Sequence, residues 1–361
     1  MKKPLAFGVV VGANDFGVQY LGGHSRLEGR ERNLVGCIGQ RYLGGDRRAS
    51  RVVAAVASRR EAFGAAVVTL LLLLSCASRP PDERTGTPHI RMASVNGATL
   101  TFLEQGTGAP VLFLHGAITD LRMWEGQRET VAAKYRFIAL SMRYFGTAPW
   151  PDDGAHFSEA THVADIAAFI RMLEAGPVYL VGHSYGSRLA LAITFQHPEL
   201  VRGLFLNEPG LISAVTDPAE REAAVEDRQA GLAPLQAILP TGDATEIARR
   251  WSEFSNGAPG AFDSLPAASQ TMLVENARTV RLQLSPRVAV NLSCEELGRL
   301  RVPVAITKGE LTRKFFQITV EAVARCVPGA KLITISGARH RAPMQNSTAF
   351  NEALLSYLAR H

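Results

Sequence analysis

Ser184 stands in the stretch VYLVGHSYGSRLA, with Gly182 two residues before it and Gly186 two residues after. The residues ahead form a continuous apolar run, the mark of a strand buried on both faces, and those behind are helical in pattern. A serine between glycines at such a junction is the pattern of a nucleophile on a sharp strand-to-helix turn. Larger side chains two residues away would collide as the turn closes. The turn presents the hydroxyl at the carboxyl end of the strand, and the helix that follows lends its positive end to a developing anion. A serine hydroxyl also needs a base to take its proton and return it. Of the nine histidines, His340 lies in SGARHRAPM, a loop after the last strand pattern, from which an imidazole can reach back over the strand ends. His183 adjoins the serine on the opposite side of the turn, His197 sits at a helix end in QHPEL, and His361 is the terminus.

The elements that must hold these groups alternate along the chain. MASVNGATLTFLEQG reads as two strands joined at Asn96-Gly97, a type I′ hairpin signal. PVLFLHG, YRFIALSM, PVYLVG, VRGLFLNEP, VPVAITKG and KLITIS read as further strands, the sixth of that series following a helix near 314–326. HVADIAAFIRMLEAG places Val163, Ile166, Ala167, Ile170 and Leu173 on one helical face and stops at Gly176. Strands alternating with helices predict an α/β protein with a mostly parallel, doubly wound sheet. Residues 211–290 interrupt the rhythm, with helical patches such as DPAEREAAVEDRQ and ATEIARRWSEF and no strand pattern. They read as an inserted helical lid, whose Trp251, Phe254, Phe262, Leu265, Met272 and Leu273 serve either a pocket or plain packing onto the core.

LFLHGAITDLRMW, GHSYGS, LFLNEPG and ISGARH together resemble the α/β-hydrolase superfamily, in its esterase, C–C hydrolase and haloperoxidase-like branch. The likeness covers roughly residues 91–361 and implies a sheet of about eight strands with a lid after the sixth. It implies that base follows nucleophile and acid in the chain, which selects His340. It treats His115 as structural and makes the backbone amides of Ala117 and Tyr185 the oxyanion hole. The acid is less plain. The usual Asp, three residues after Gly309, is replaced by Thr312. Glu208, ending an apolar strand where a carboxylate is out of place unless hydrogen-bonded, is the first candidate. Glu310 is the alternative, and Asp165 is expected to face solvent or cap a neighbour.

Charge and cysteines bound the rest. Residues 1–61 carry eleven Lys and Arg against five acids and so hold the whole net charge of +6, which leaves the folded part no basic footprint for nucleic acid. That segment is expected to be unfolded, or to lie upstream of the true start. Residues 62–76, an apolar run ending in Ser75-Cys76, read as a signal segment, with Cys76 the lipidated residue of a lipoprotein, and 77–90 as a linker. The expected place is therefore the cell envelope, with the cytoplasm as the alternative if 62–76 is no signal, and with membrane contact only through that anchor. The folded core is expected at 91–210 and 291–361 and the lid at 211–290. Cys294 and Cys326 belong to no metal-like cluster, and disulfide and paired free thiols both stand open.

The expected activity is that of a serine hydrolase on a carboxylic ester or related small acyl compound, with no metal or organic cofactor. C–C bond cleavage, lactone cleavage and perhydrolysis share the same residues. From another class stands a non-catalytic binding protein that kept the fold and lost the acid, a reading that Thr312 favours.

Overall fold

The computed structural model describes residues 87–150, 152–285 and 291–361. The expected leader, Cys76 and most of the linker lie outside the described residues. The sheet starts at His89, two residues inside the segment read as linker, because His89 and Ile90 already pair with Glu104 and Leu103.

Eight strands form one sheet: β1 (His89–Val95), β2 (Ala98–Gln105), β3 (Pro110–Leu114), β4 (Arg136–Leu140), β5 (Val178–His183), β6 (Val201–Asn207), β7 (Val304–Gly309) and β8 (Lys331–Ile335). Their order is β1-β2-β4-β3-β5-β6-β7-β8. β1, β2 and β4 pair antiparallel, and every pairing from β4 to β8 is parallel. The first hairpin turns at Asn96 and Gly97, both at positive φ (47° and 74°), as a type I′ turn requires. β7 starts two residues later than the pattern VPVAITKG suggests, since Val302 precedes Pro303, which has no N–H for the ladder.

Helices cover both faces. Those between strands are α1 (Glu125–Ala132), α2 (Glu159–Met172) and α3 (Tyr185–Gln196). Ser158 caps α2 by accepting from the Thr161 amide, and Val163, Ile166, Ala167 and Ile170 are buried on its inner face. Along β3 the side chains alternate: Val111 and Phe113 join Phe137 and Phe350 on one face, while Leu112 and Leu114 join Ile166 and Leu189 on the other. A strand buried on both sides this way reads as an unbroken apolar run, and each such side chain contributes about 1.5–3 kcal/mol on leaving water.

Between β6 and β7 come α4 (Pro218–Ile238), α5 (Ala244–Asn256), α6 (Ala267–Asn276), α7 (Val280–Gln283) and α8 (Cys294–Leu297), with no strand among the described residues. Asp217 and Asp243 cap α4 and α5, and Gly257 ends α5 at φ 62°. Leu232, Leu235, Ile247, Phe254, Phe262 and Leu273 form a small core of their own with Ile118, which reaches up from the loop after β3. The last helices are α9 (Lys314–Cys326), α10 (Ala342–Gln345) and α11 (Ser347–Leu358). Cys294, opening α8, and Cys326, ending α9, form a disulfide with 5.0 Å between Cα atoms, which decides the open choice of their state.

Candidate active site

Parallel strands all point their carboxyl ends the same way, so β5, β6 and β8 deliver Ser184, Glu208 and His340 to one edge of the sheet. Ser184 follows β5 at once and sits at φ 51°, ψ −109° before α3 begins. A non-glycine residue held there costs roughly 1–3 kcal/mol, so the surroundings must over-determine it. They do so through Asn207, whose carbonyl accepts from the Ser184 amide (2.7 Å) and from Ser187 Oγ (3.1 Å). The glycines have a steric reason. A Cβ on Gly182 would lie 2.6 Å from Ser187 Cα, and one on Gly186 would run into the Leu114 carbonyl.

Glu208 follows β6 in the same register and shares the left-handed backbone, at φ 47°. Its side chain is wholly buried, and three donors converge on it. The Gly309 amide donates to Oε1 at 2.8 Å, Thr312 Oγ1 donates to Oε2 at 2.9 Å, and His340 Nδ1 lies 2.6 Å from Oε2. Thr312, which looked like the loss of an acid, is thus a hydrogen-bond donor to the glutamate of the neighbouring strand. Bonding of Nδ1 to a carboxylate puts the imidazole proton there and leaves Nε2 as the basic nitrogen. Phe316 stacks on the ring at 3.7 Å between centroids, and the His340 carbonyl accepts from Asn207 Nδ2 at 3.0 Å.

Burial pushes Glu208 up to about 7, against the Gly309 amide and the Thr312 hydroxyl, which favour the carboxylate. His340 is held well below its ordinary value, first by burial and then by the charges of Arg341 and Arg313. A free imidazole held low is neutral near pH 7, the state a base requires. Arg341 is itself buried without an acidic partner: Nη2 donates to Ser252 Oγ at 2.8 Å, Nη1 has no partner among the described residues, and its pKa falls to about 10.

Ser184 and His340 open onto one cavity of about 340 Å³, whose wall also includes Ala117 and Tyr185. Tyr185 is the first residue of α3, so its amide has no intrahelical acceptor. Its phenol is fixed by His162, which bonds the Tyr185 oxygen through Nδ1 (2.7 Å) and the Arg143 carbonyl through Nε2 (3.1 Å). Gly116, just before Ala117, has no room for a side chain, because a Cβ would lie 2.5 Å from His183 Cδ2. Of the apolar residues singled out between β6 and β7, Trp251 and Phe254 line the cavity, while Phe262, Leu265, Met272 and Leu273 pack in cores.

Other candidates lie elsewhere. Glu310 is exposed, and its Oε2 accepts from the Gly337 amide at 2.8 Å, away from the imidazole. Asp165 does not face solvent: it is buried and paired with Arg143 at 2.7 Å, also accepting from Asn96 Nδ2. Burying Asp165 lets it hold the β1–β2 hairpin to α2, which a helix-face pattern alone does not reveal. His115 is buried and low, at about 4, with Nε2 accepting from the Met142 amide. His183 bonds Asn207 Nδ2 at 2.9 Å. His197 lies near Arg171 and Glu199 at the surface, and His361 packs on Tyr357. Asn207 itself was missed, although a polar residue closing the apolar run VRGLFL was a usable signal.

The family model described as the alpha/beta hydrolase fold matches residues 109–347, and the chain belongs to this family. Relatives with named activities include hydrolases. The chain is 26% identical to 2-(acetamidomethylene)succinate hydrolase of Mesorhizobium japonicum, over 69% of this chain and 88% of that one. It is 28% identical to an epoxide hydrolase of Caballeronia sordidicola, over 52% of this chain and little more than half (57%) of that one. Among solved structures, a Bacillus subtilis carboxylesterase superposes with a TM-score of 0.60 at 18% identity, covering 76% of this chain and 93% of that one, a likeness of fold.

Proposed function

We propose that the protein is a serine hydrolase of carboxylic esters or related small acyl compounds. Ser184 Oγ attacks the carbonyl carbon as His340 Nε2 takes its proton. Glu208 accepts from Nδ1–H and stabilises the imidazolium. The amides of Ala117 and Tyr185 hold the oxyanion. His340 then returns the proton to the leaving alcohol, which departs and leaves an acyl-serine. A water molecule, deprotonated by the same Nε2, attacks that ester, and the carboxylic acid leaves as Ser184 regains its proton.

The observation that carries this reading is the buried 2.6 Å bond between Glu208 and His340, with Thr312 and Gly309 orienting the carboxylate. It weighs against the binding-protein alternative, because the place vacated by an acid is filled by a group that supports another. A serine in the elbow also favours acyl chemistry over the epoxide opening named for one relative. Attack on a saturated carbon would leave a serine ether, which water cannot cleave as it cleaves an acyl ester. A fluorophosphonate probe tests the reading. Ser184 of the folded protein is expected to be labelled and Ser184→Ala to escape, and an unlabelled Ser184 would sink the enzyme assignment.

The exported, lipid-anchored state read from residues 62–76 remains a proposal, supported by the Cys294–Cys326 disulfide, a bond that persists in oxidising compartments. Replacing Cys76 by Ser is expected to move the protein from the membrane fraction to the soluble one. An unchanged distribution would count against lipidation.

A further inference from the structure

The cavity wall contains two arginines that the proposed chemistry does not use. Arg188 lies on α3, one helical turn after Ser184, and Arg228 lies on α4, in the segment between β6 and β7. Arg188 pairs with Glu159 through Nη2 and lies over the Tyr185 ring, 5.4 Å from its centroid. Its Nε is buried with no hydrogen-bond partner among the described residues. Arg228 also lines the cavity, is exposed to solvent, and makes no ion pair among the described residues. Its pKa is lowered first by desolvation and then by the charge of Arg188. Two guanidinium groups therefore line one space, and among the described residues only Arg188 has an acidic partner.

Resting on the serine-hydrolase reading, we propose that the substrate carries a carboxylate, which the guanidinium groups of Arg228 and Arg188 bind while Ser184 meets the acyl carbonyl. The charge balance favours a carboxylate over a phosphate. Glu159 neutralises Arg188, so the pair presents about one net positive charge, matched by a monoanion. Size sets the spacing. Four helical residues advance about 6 Å, so an anion held near Arg188 lies only a few bonds from a carbonyl at Ser184. A cavity of about 340 Å³ is likewise at the small end for ligand sites, which run from roughly 300 to 1,000 Å³. Half-esters of short dicarboxylic acids meet both limits. A planar carboxylate also suits the fixed fork of a guanidinium, whose hydrogen bonds to an ion are stronger than neutral ones.

The test compares p-nitrophenyl hydrogen succinate with p-nitrophenyl butyrate, esters of similar length that differ in the terminal charge. The wild-type kcat/KM is expected to favour the succinate by on the order of tenfold to a hundredfold, the range of a charged hydrogen bond. In Arg228→Gln the ratio of the two kcat/KM values is expected to collapse toward one, with Arg228→Lys keeping part of it. A merely structural role for Arg228 would lower both rates and leave the ratio intact. Equal wild-type rates, or a preference that survives both Arg228→Gln and Arg188→Gln, would overturn the proposal. Turnover of butyrate with Ser184 labelled would then leave the hydrolase reading standing. Where neither ester turns over, calorimetric titration of Ser184→Ala protein with methyl hydrogen succinate decides independently. Binding that Arg228→Gln removes supports the carboxylate site while the hydrolase reading fails, and no binding overturns the site as well.

Discussion

Two adjacent strands are each followed directly by a glutamate, and the two residues have opposite fates. Glu208 follows Asn207 at the end of β6, and Glu310 follows Gly309 at the end of β7. Glu208 is wholly buried and takes hydrogen bonds from Gly309, Thr312 and His340. Glu310 is exposed and holds one backbone amide of the loop after β8. Residue type is the same and each directly follows its strand, but Asn207 pairs with Thr307, so Glu208 lies opposite Lys308 and Glu310 stands two residues further on. Register and backbone decide which carboxylate meets the imidazole. Glu208 turns inward on a left-handed residue (φ 47°), and the loop after β7 supplies donors to it rather than an acid of its own.

The largest expected effect breaks this comparison directly. Glu208→Gln removes the charge and leaves one accepting oxygen where two are used, so an NH2 must face either the Gly309 amide or His340 Nδ1. Under the proposed reading kcat is expected to fall on the order of a thousandfold to ten-thousandfold. The checking measurement is p-nitrophenyl ester turnover alongside a melting curve, which separates lost chemistry from lost fold. A variant that keeps more than about a tenth of wild-type kcat would rule out Glu208 as the proposed acid.

Thr312→Val sharpens the comparison at smaller scale, since it removes one donor to Glu208 while keeping the shape of the side chain. Losing a hydrogen bond to a charged group is expected to lower kcat/KM by roughly tenfold at pH 8. The Thr312 hydroxyl favours the carboxylate, so without it Glu208 binds its proton more tightly. The acid limb of the kcat/KM profile, which reports the Glu208–His340 pair gaining a proton, is then expected to move to higher pH. An unmoved limb would mean that Thr312 does not tune the pair.

These contacts also mark where sequence reading stops. The Ser184 elbow is written in a dozen adjacent residues, because strand, glycines and helix are local features. The strands are legible for the same reason, with their apolar runs following from burial on both faces. The support from Thr312 to Glu208 spans 104 residues and exists only because β6 and β7 are neighbours in the sheet. Arg188 and Arg228 meet across forty residues that include a strand, so neither stands out alone. Asp165 sat on a helix face and looked solvated, yet Arg143 makes its burial tolerable. Pairings between distant polar groups leave no periodic trace.

Arg341 offers a subtler lever on the same pair. Its charge opposes protonation of His340, so Arg341→Met is expected to raise the proton affinity of the pair and shift the acid limb to higher pH. Stability is expected to hold or rise, because the variant removes a buried charge whose Nη1 has no partner among the described residues. A limb that stays in place, read from kcat/KM across pH 5–9, would show that this charge is screened from the imidazole.

The smallest expected effect closes the comparison from the other side. Glu310→Gln keeps an oxygen able to accept from the Gly337 amide and changes only the charge of an exposed side chain. Surface substitutions of this kind usually shift stability by no more than about 0.5 kcal/mol, so kcat is expected to stay within roughly twofold and the melting temperature nearly unchanged. The result gains its force beside Glu208→Gln, because both variants remove one negative charge from the same edge of the sheet. A general electrostatic effect would slow both. A tautomer held by one carboxylate slows only the variant that touches Nδ1. If Glu310→Gln were instead the inactive variant, the loop after β7 would have to rearrange in solution to bring its own glutamate to His340, and the acid would belong to β7 after all.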